Sequence, residues 1–595
     1  MFVNARLTQL FVAGMLCGTI APVGVAQEPA KDFYGDPLPK DSIARLGSVR
    51  FHNPKGLTAM AYAQDGKSIL AVGSDSMRFW DADMGKELAR FDAEKDTGFW
   101  MRSAKLSPDG KYIALNQHQA VELLDRHTGK LVRTIKTDNP AHQLLSSAFS
   151  PDGKLLVTGN MEWLDDNPIR VWEVETGKEL PPFLGRGSSL HALTFSADGK
   201  TLTVVNTNGS VVTWDWAMRK VLRKLAMHER QFPRAVLVPH TQSALTAENH
   251  GFVFDENISL EMVHLWNIST GKVTHSMPLR KARDQGSFII CEALAASADG
   301  RLLATSQIME TQGLRLILRD PVIRLWERVT GKEVLTIKET MGQAIAFSPD
   351  GMTLAADDGE QRGWAYQHAT TISLWDTLTG ARQAKLVGHA APIHGIAFSP
   401  DGKTFATASA DHTVLIWKTP PMRAGLNNAK ADDKQLEDWW KALAGDDAAL
   451  AHQAAERLLA HSADATRMIR DKLKPAVPID AKKIPPLIAA LDSPDFEIRH
   501  DANQQLEAMG DLAEPALRKA LEKPSSLEAK RRLEALIEKA LGTTPEYVKA
   551  HRALAVLERI GSASARQVVD TIAKGAPGTR LTAEAQTVLE RMPAK

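Results

Sequence analysis

Two hydrophobic rhythms divide the chain. From Thr58 to Trp417 one order recurs: an apolar segment ending in a turn such as SPDGK, a second apolar segment, a third ending in Trp, a turn such as TGK, then a fourth segment. Asp-Gly suits a tight hairpin, because Gly accepts positive φ without steric cost and Asp bonds the backbone around the bend. The pattern predicts four antiparallel strands per unit. The first turns centre on Asp65-Gly66, Asp109-Gly110, Asp152-Gly153, Asp198-Gly199, the degenerate Pro239-His240-Thr241, Asp299-Gly300, Asp350-Gly351 and Asp401-Gly402. The third strands carry Trp80, Leu124, Trp172, Trp214, Trp266, Trp326, Trp375 and Trp417. Each set has eight members, which implies eight units, or seven if one degenerate unit is miscounted. Strands such as TVLIWK are apolar on both faces, so the small sheets must pack face to face. A ring of four-stranded sheets with a period of roughly 45 residues is the signature of an all-β propeller of eight blades, with seven as the alternative.

The last unit stops at its third strand, because Trp417 is followed by Lys-Thr-Pro-Pro and proline cannot continue a ladder. SIARLGSVRF, Ser42 to Phe51, reads as the missing fourth strand, which would tie the last unit to the first and leave no open edge. The propeller then spans 42–418. Residues 419–431 have the composition of a linker, which predicts two parts that fold independently. Beyond them the period changes from two to about 3.6, so 432–595 is all-α. Thr544-Pro545 and Ser493-Pro494 read as N-caps followed by Pro at the first helical position, and Ser525 with Glu528 as a capping box. Two helical stretches superpose without gaps, matching Leu443 to Leu491, Ala454 to Ala502, Leu458 to Leu506 and Leu473 to Leu521. A looser third copy is HRALAVLERIGSASARQVVDTIA. Of the adjacent Trp439 and Trp440, one belongs to the apolar stripe and the other packs on the neighbouring propeller, since neighbours on a helix point about 100° apart.

The units resemble WD40 repeats, in the form AFSPDGK…WD…TGK common in bacterial proteins. Trp-Asp itself stands at Trp80-Asp81, Trp214-Asp215 and Trp375-Asp376, while Glu173, Glu327, Asn267 and Lys418 replace the Asp elsewhere and Leu124 replaces one Trp. The resemblance implies that His389, Ser409, Asp411 and Trp417 form a structural tetrad holding one blade together. A Ser-His-Asp hydrolase would need an exposed nucleophile and an oxyanion hole, and no G-x-S-x-G elbow frames this serine. The helical pairs resemble HEAT-like repeats, and the whole arrangement resembles an extracytoplasmic bacterial family.

Charge and chemistry narrow the partners. A formal net charge of +1 without a long basic run argues against nucleic acid. Residues 1–26 read as an export leader, with Arg6, the apolar run Leu7 to Ile20 and a Gly24-Val25-Ala26 cleavage site, followed by a linker at 27–41. A periplasmic or secreted location is expected, with no stable membrane insertion after cleavage. One cysteine, Cys291, then remains, so no intrachain disulfide is available. No phosphate loop, H-E-x-x-H, C-x-x-C or EF-hand pattern occurs, and neither a cofactor nor a metal is expected.

These features point to a non-enzymatic scaffold that binds a partner protein or peptide, with the helical segment as a second contact surface. The alternative is a small-ligand binder or enzyme with its site in the central channel. In a four-stranded meander the a–b and c–d turns share one end of the blade, and the b–c loops lie at the other. The elongated b–c loops of units three, five, six and seven thus gather on one face. They bring together Trp163, Asp165, Asp166, Phe252, Phe254, Asp255, Trp364 and Tyr366, with Asp357 and Asp358 among further acidic groups. Aromatic anchors beside acidic residues suit a basic or amphipathic protein segment.

Overall fold

A computed structural model of the chain describes residues 30–592 apart from 33–35, 47–56, 63–65, 74–75, 84, 93–102, 117–119, 126–129, 137–143, 161–168, 182–189, 196–198, 207–210, 226–233, 239–240, 242, 248–261, 268–271, 280–286, 312–317, 339, 341, 359–360, 363–364, 367–369 and 421–429. The leader and its cleavage site therefore lie outside the described residues.

Each repeated unit becomes a four-stranded antiparallel sheet, with strands a to d in chain order in all but the last, and eight such sheets are described. The register explains their likeness. In every unit the Trp position of strand c faces an apolar residue of strand b: Ile69 opposite Trp80, Leu156 opposite Trp172, Leu303 opposite Trp326, Phe405 opposite Trp417, and Ile113 opposite the substituted Leu124. In the SPDG turns the serine organises the hairpin. Ser399 Oγ donates to Asp401 at 2.7 Å and accepts the Thr404 N–H at 3.1 Å, while Gly402 takes φ +69°.

Neighbouring sheets share apolar cores. Ile69, Ala71 and Trp80 of the first unit pack with Ala406, Val414 and Ile416 of the last. The c–d turns add a close backbone approach: at Gly331, φ +65°, an added Cβ would fall 2.5 Å from His275 of the preceding sheet. The fourth strand of the last sheet is Ser42–Leu46, which pairs antiparallel with Val414–Lys418. Its Ala44 and Leu46 join the first unit's core, so the chain's beginning fastens its two outermost units together. The stretch before it is more than a linker: Asp32 pairs with Arg45 at 2.7 Å in a buried contact.

The C-terminal part consists of helices α1 (Asp433–Ala442), α2 (Ala448–Ala460), α3 (Ser462–Lys472), α4 (Ile484–Ala490), α5 (Phe496–Met509), α6 (Glu514–Leu521), α7 (Leu527–Leu541), α8 (Pro545–Ile560), α9 (Ala563–Ala573) and α10 (Arg580–Arg591). They bury two cores, one of α1 to α3 with α8 to α10, the other of α4 to α7. Matched positions of the two copies are buried alike: Leu443 and Leu491, Ala454 and Ala502, Leu458 and Leu506. Thr544 caps α8 with Pro545 at its first position. The other caps differ from the expectation. Asp495, not Ser493, caps α5, and Ser526, not Ser525, caps α7. In each case the residue next to the helix offers its oxygen to the free N–H groups. Trp440 enters the core, whereas Trp439 packs on the helices' core and on His461 at 5.1 Å. Among the described residues no helix is long and apolar enough to cross a membrane.

Candidate interaction surface

The last unit shows what its polar residues do. His389 Nδ1 lies 2.9 Å from Asp411 Oδ2, and its Nε2 lies 2.8 Å from Thr407 Oγ1. The Trp417 indole N–H donates to the same Thr407 oxygen at 2.9 Å. The hydroxyl between histidine and tryptophan therefore belongs to Thr407, not to Ser409. Strand register is the reason: Trp417 faces Phe405, so its ring reaches the residue two positions further along strand b. Ser409 instead donates to the Ala391 carbonyl at 2.8 Å and accepts the Asp411 N–H at 3.0 Å, shaping the b–c turn. Burial raises the Asp411 pKa, but the His389 bond and charge, Thr413 and the Ala390 N–H outweigh it and hold the carboxyl far below the usual range. His389, Thr407 and Ser409 are all buried. The set has no open approach for a substrate; it braces the blade.

The Thr–Trp bond recurs where strand b supplies a threonine: Trp172 donates to Thr158, Trp266 to Thr246 and Trp326 to Thr305. In the seventh unit Ala356 takes the threonine's place, and Trp375 Nε1 finds no acceptor among the described residues. The Arg382 guanidinium lies 5.7 Å from that ring.

On the long-loop side, unit six stands taller than its neighbours. Its strands Ser287–Ala296, Leu302–Thr311 and Leu318–Glu327 each run ten residues, so much of the expected loop QIMETQGLRLILRD is continued ladder. In unit seven the b–c connection forms a small hairpin, with Gln361 opposite Tyr366 and Arg362 opposite Ala365. Trp163, Asp165, Asp166, Phe252, Phe254, Asp255 and Trp364 lie outside the described residues.

Asp357, the last residue of strand b, and Asp358 just beyond it are buried and are not rim charges. Asp357 is 2% exposed and accepts the Ala344 N–H at 2.7 Å. Burial pushes its pKa up to about 7 despite that bond. Asp358 is 6% exposed, accepts from Ser373 Oγ at 2.8 Å and pairs with Lys385 at 3.3 Å.

The short-turn side of units six and seven is covered by the protein's own helices. Arg552 of α8 makes a two-pronged contact with Glu327, at 2.7 and 2.6 Å, and donates to the carbonyls of Leu443 and Gly445. Burial raises the Glu327 pKa, but Arg552 more than offsets it, keeping the carboxylate charged. Arg301, in the a–b turn of unit six, meets Glu558 at 2.5 Å and Glu584 at 3.6 Å. Arg591 grips Glu558 from the other side at 2.6 and 2.9 Å. His452 of α2 reaches the Thr377 carbonyl at 3.0 Å, and Lys332 pairs with Asp446 at 2.5 Å. The apolar share is small: Ala448 joins the core of units six and seven, and Leu378 packs on the helices. None of these pairings was visible in the sequence. The sole local hint is Glu327, a carboxylate at the position after Trp that the resemblance already assigns to the repeat.

The comparisons agree with this architecture. The family model "WD domain, G-beta repeat" matches residues 380–418, from the c–d turn of unit seven through strand c of unit eight. Telomerase protein component 1 of Rattus norvegicus is 22% identical over 62% of this chain and 14% of its own length. Apoptotic protease-activating factor 1 of Rattus norvegicus is 22% identical over 60% of this chain and 29% of its own. COMPASS component SWD3 of Saccharomyces cerevisiae is 22% identical over 49% of this chain and 87% of its own. The chain thus spans less than a third of the first two relatives. The repeated sheets, the matched repeat and these relatives support a WD40 propeller protein followed by a helical region.

Proposed function

We infer that the protein is a non-enzymatic interaction scaffold of the cell envelope, an eight-bladed WD40 ring that binds partner proteins or peptides on its long b–c loop side. The observation that carries this reading is the placement of the helices. They occupy the short-turn ends of units six and seven, so the chain itself takes up part of one side and leaves the other to partners. The taller sheet of unit six and the hairpin of unit seven give that opposite side relief, which suits peptide binding. Two of the relatives are, by their names, components of telomerase and of COMPASS, which suits a part in a larger assembly. Export through residues 1–26 and a HEAT-like character for the helices belong to the same reading.

The test is affinity capture with residues 27–595, followed by mass spectrometry and then binding assays on the principal partner. Trp364→Ala is expected to weaken capture at least about tenfold with unchanged melting. If Trp364→Ala and Trp163→Ala both bind normally, while changes on the short-turn side or in the helices abolish capture, the assigned side is wrong.

A further inference from the structure

The junction between sheets and helices is built from groups that titrate. His452, on α2, is turned into it, and its Nε2–H donates to the Thr377 carbonyl in the c–d turn of unit seven at 3.0 Å. The charged groups around the ring come from every side: Arg559 of α8 disfavours a cationic ring, while Glu327 of unit six and Asp376 of unit seven favour one. Glu456 lies one turn further along α2. Burial outweighs all of these and, with Arg559, pushes the imidazole pKa down to about 4.

We propose that the helical domain is an acid-released cap on the short-turn side of units six and seven, with His452 as the group whose protonation opens it. The sign follows from linkage. A histidine whose pKa is lower in the docked form than in the free form stabilises docking fully above the free value, near 6.5, and that contribution is lost as pH falls toward 4. Because Arg559 belongs to the same helices and stays near the ring on release, docking weakens by at most about thirtyfold by pH 5. The carboxylates act in a more acidic window. Burial raises the Glu327 and Asp299 pKa values, but Arg552 and Arg301 pull both below the usual range, so they hold their charge while His452 titrates. An apolar seam would not respond in this way; here the apolar share is Ala448 and Leu378. Release uncovers Arg301, Glu327 and Thr377 together, a charged patch hidden in the docked form.

The experiment is small-angle scattering of the full chain from pH 7.5 to 4, with far-ultraviolet circular dichroism on the same samples, for the wild type and His452→Gln. Glutamine keeps a donor for the Thr377 carbonyl and does not titrate. The wild type is expected to show a reversible rise in radius of gyration, with its midpoint between pH 6.5 and 4 and secondary structure retained. In His452→Gln the midpoint should move to lower pH. No rise above pH 4, or the same midpoint in both proteins, overturns the proposal. If the variant is already extended at neutral pH, the nuclear magnetic resonance titration of His452 in the wild-type chain decides. A pKa well below 6 upholds the proposal, and one near 6.5 overturns it.

Discussion

Sheet meets sheet and sheet meets helix through different chemistry in this protein. Between neighbouring units the contact is Trp, Leu, Ile, Val and Ala, as where Trp80 and Ile69 meet Val414 and Ile416. Between the ring and the helices it is Arg552 with Glu327, Arg301 with Glu558, and His452 with a carbonyl. Apolar contacts stabilise in proportion to the area they remove from water and are largely indifferent to pH. Buried ion pairs add little net stability, because desolvation offsets attraction, yet each fixes one geometry and penalises its loss heavily. The ring is therefore held by burial, and the helices are positioned by charge.

The sharpest way to break this contrast is Arg552→Ala, which leaves the buried Glu327 with the Thr330 hydroxyl but without its cationic partner. It should cost about 3–5 kcal/mol in denaturant unfolding. The pair Arg552→Met with Glu327→Leu should instead fall close to the wild type, since no charge is then stranded. Residues 30–420 alone should melt below the full chain, having lost the contacts of Glu327 with Arg552 and of Arg301 with Glu558.

Within the ring, Thr407→Val should cost about 1–3 kcal/mol by leaving the Trp417 N–H and a His389 nitrogen unsatisfied. Asp411 should give this blade an acid dependence. Its folded pKa lies below its unfolded value, so its contribution is present above about pH 4 and is lost progressively as the solution is acidified further.

Asp357 works in the opposite sense. Its folded pKa, about 7, lies above the unfolded 3.8, so the folded state holds the extra proton and stability falls as pH rises between those values. Asp357→Asn should therefore raise the melting temperature at pH 8 more than at pH 5. At the weak end, Lys272→Ala removes an ion pair with Glu538 whose side chains are both mostly exposed, and melting should hardly change.

Much of the ring was legible because its determinants are local. Asp-Gly turns, the Trp of strand c and the prolines after Trp417 each act within a few residues, and they mark the strands that the structure contains. What escaped depends on register or on distance in the chain. Thr407 and Ser409 share one face of strand b, and only the pairing of Trp417 with Phe405 decides which of them the indole reaches. Asp357 and Asp358 look like loop acids until strand b is seen to run to Asp357 and both side chains to be buried. Asp495 and Ser526 each sit within two residues of the expected caps, a margin that composition does not resolve. Arg552 and Glu327 are separated by 225 residues, and nothing in either neighbourhood announces the other.

A double-mutant cycle on Arg552→Ala and Glu327→Ala tests most directly whether charge positions the helices on the ring. If the two side chains meet as described, each single change strands a buried charge and the double change relieves it. The coupling should then be about 2 kcal/mol or more, with the double variant more stable than the sum of the single losses predicts. Losses that add to within about 0.5 kcal/mol would mean that the two residues do not meet in solution, and the helices would not be docked on the short-turn side of unit six.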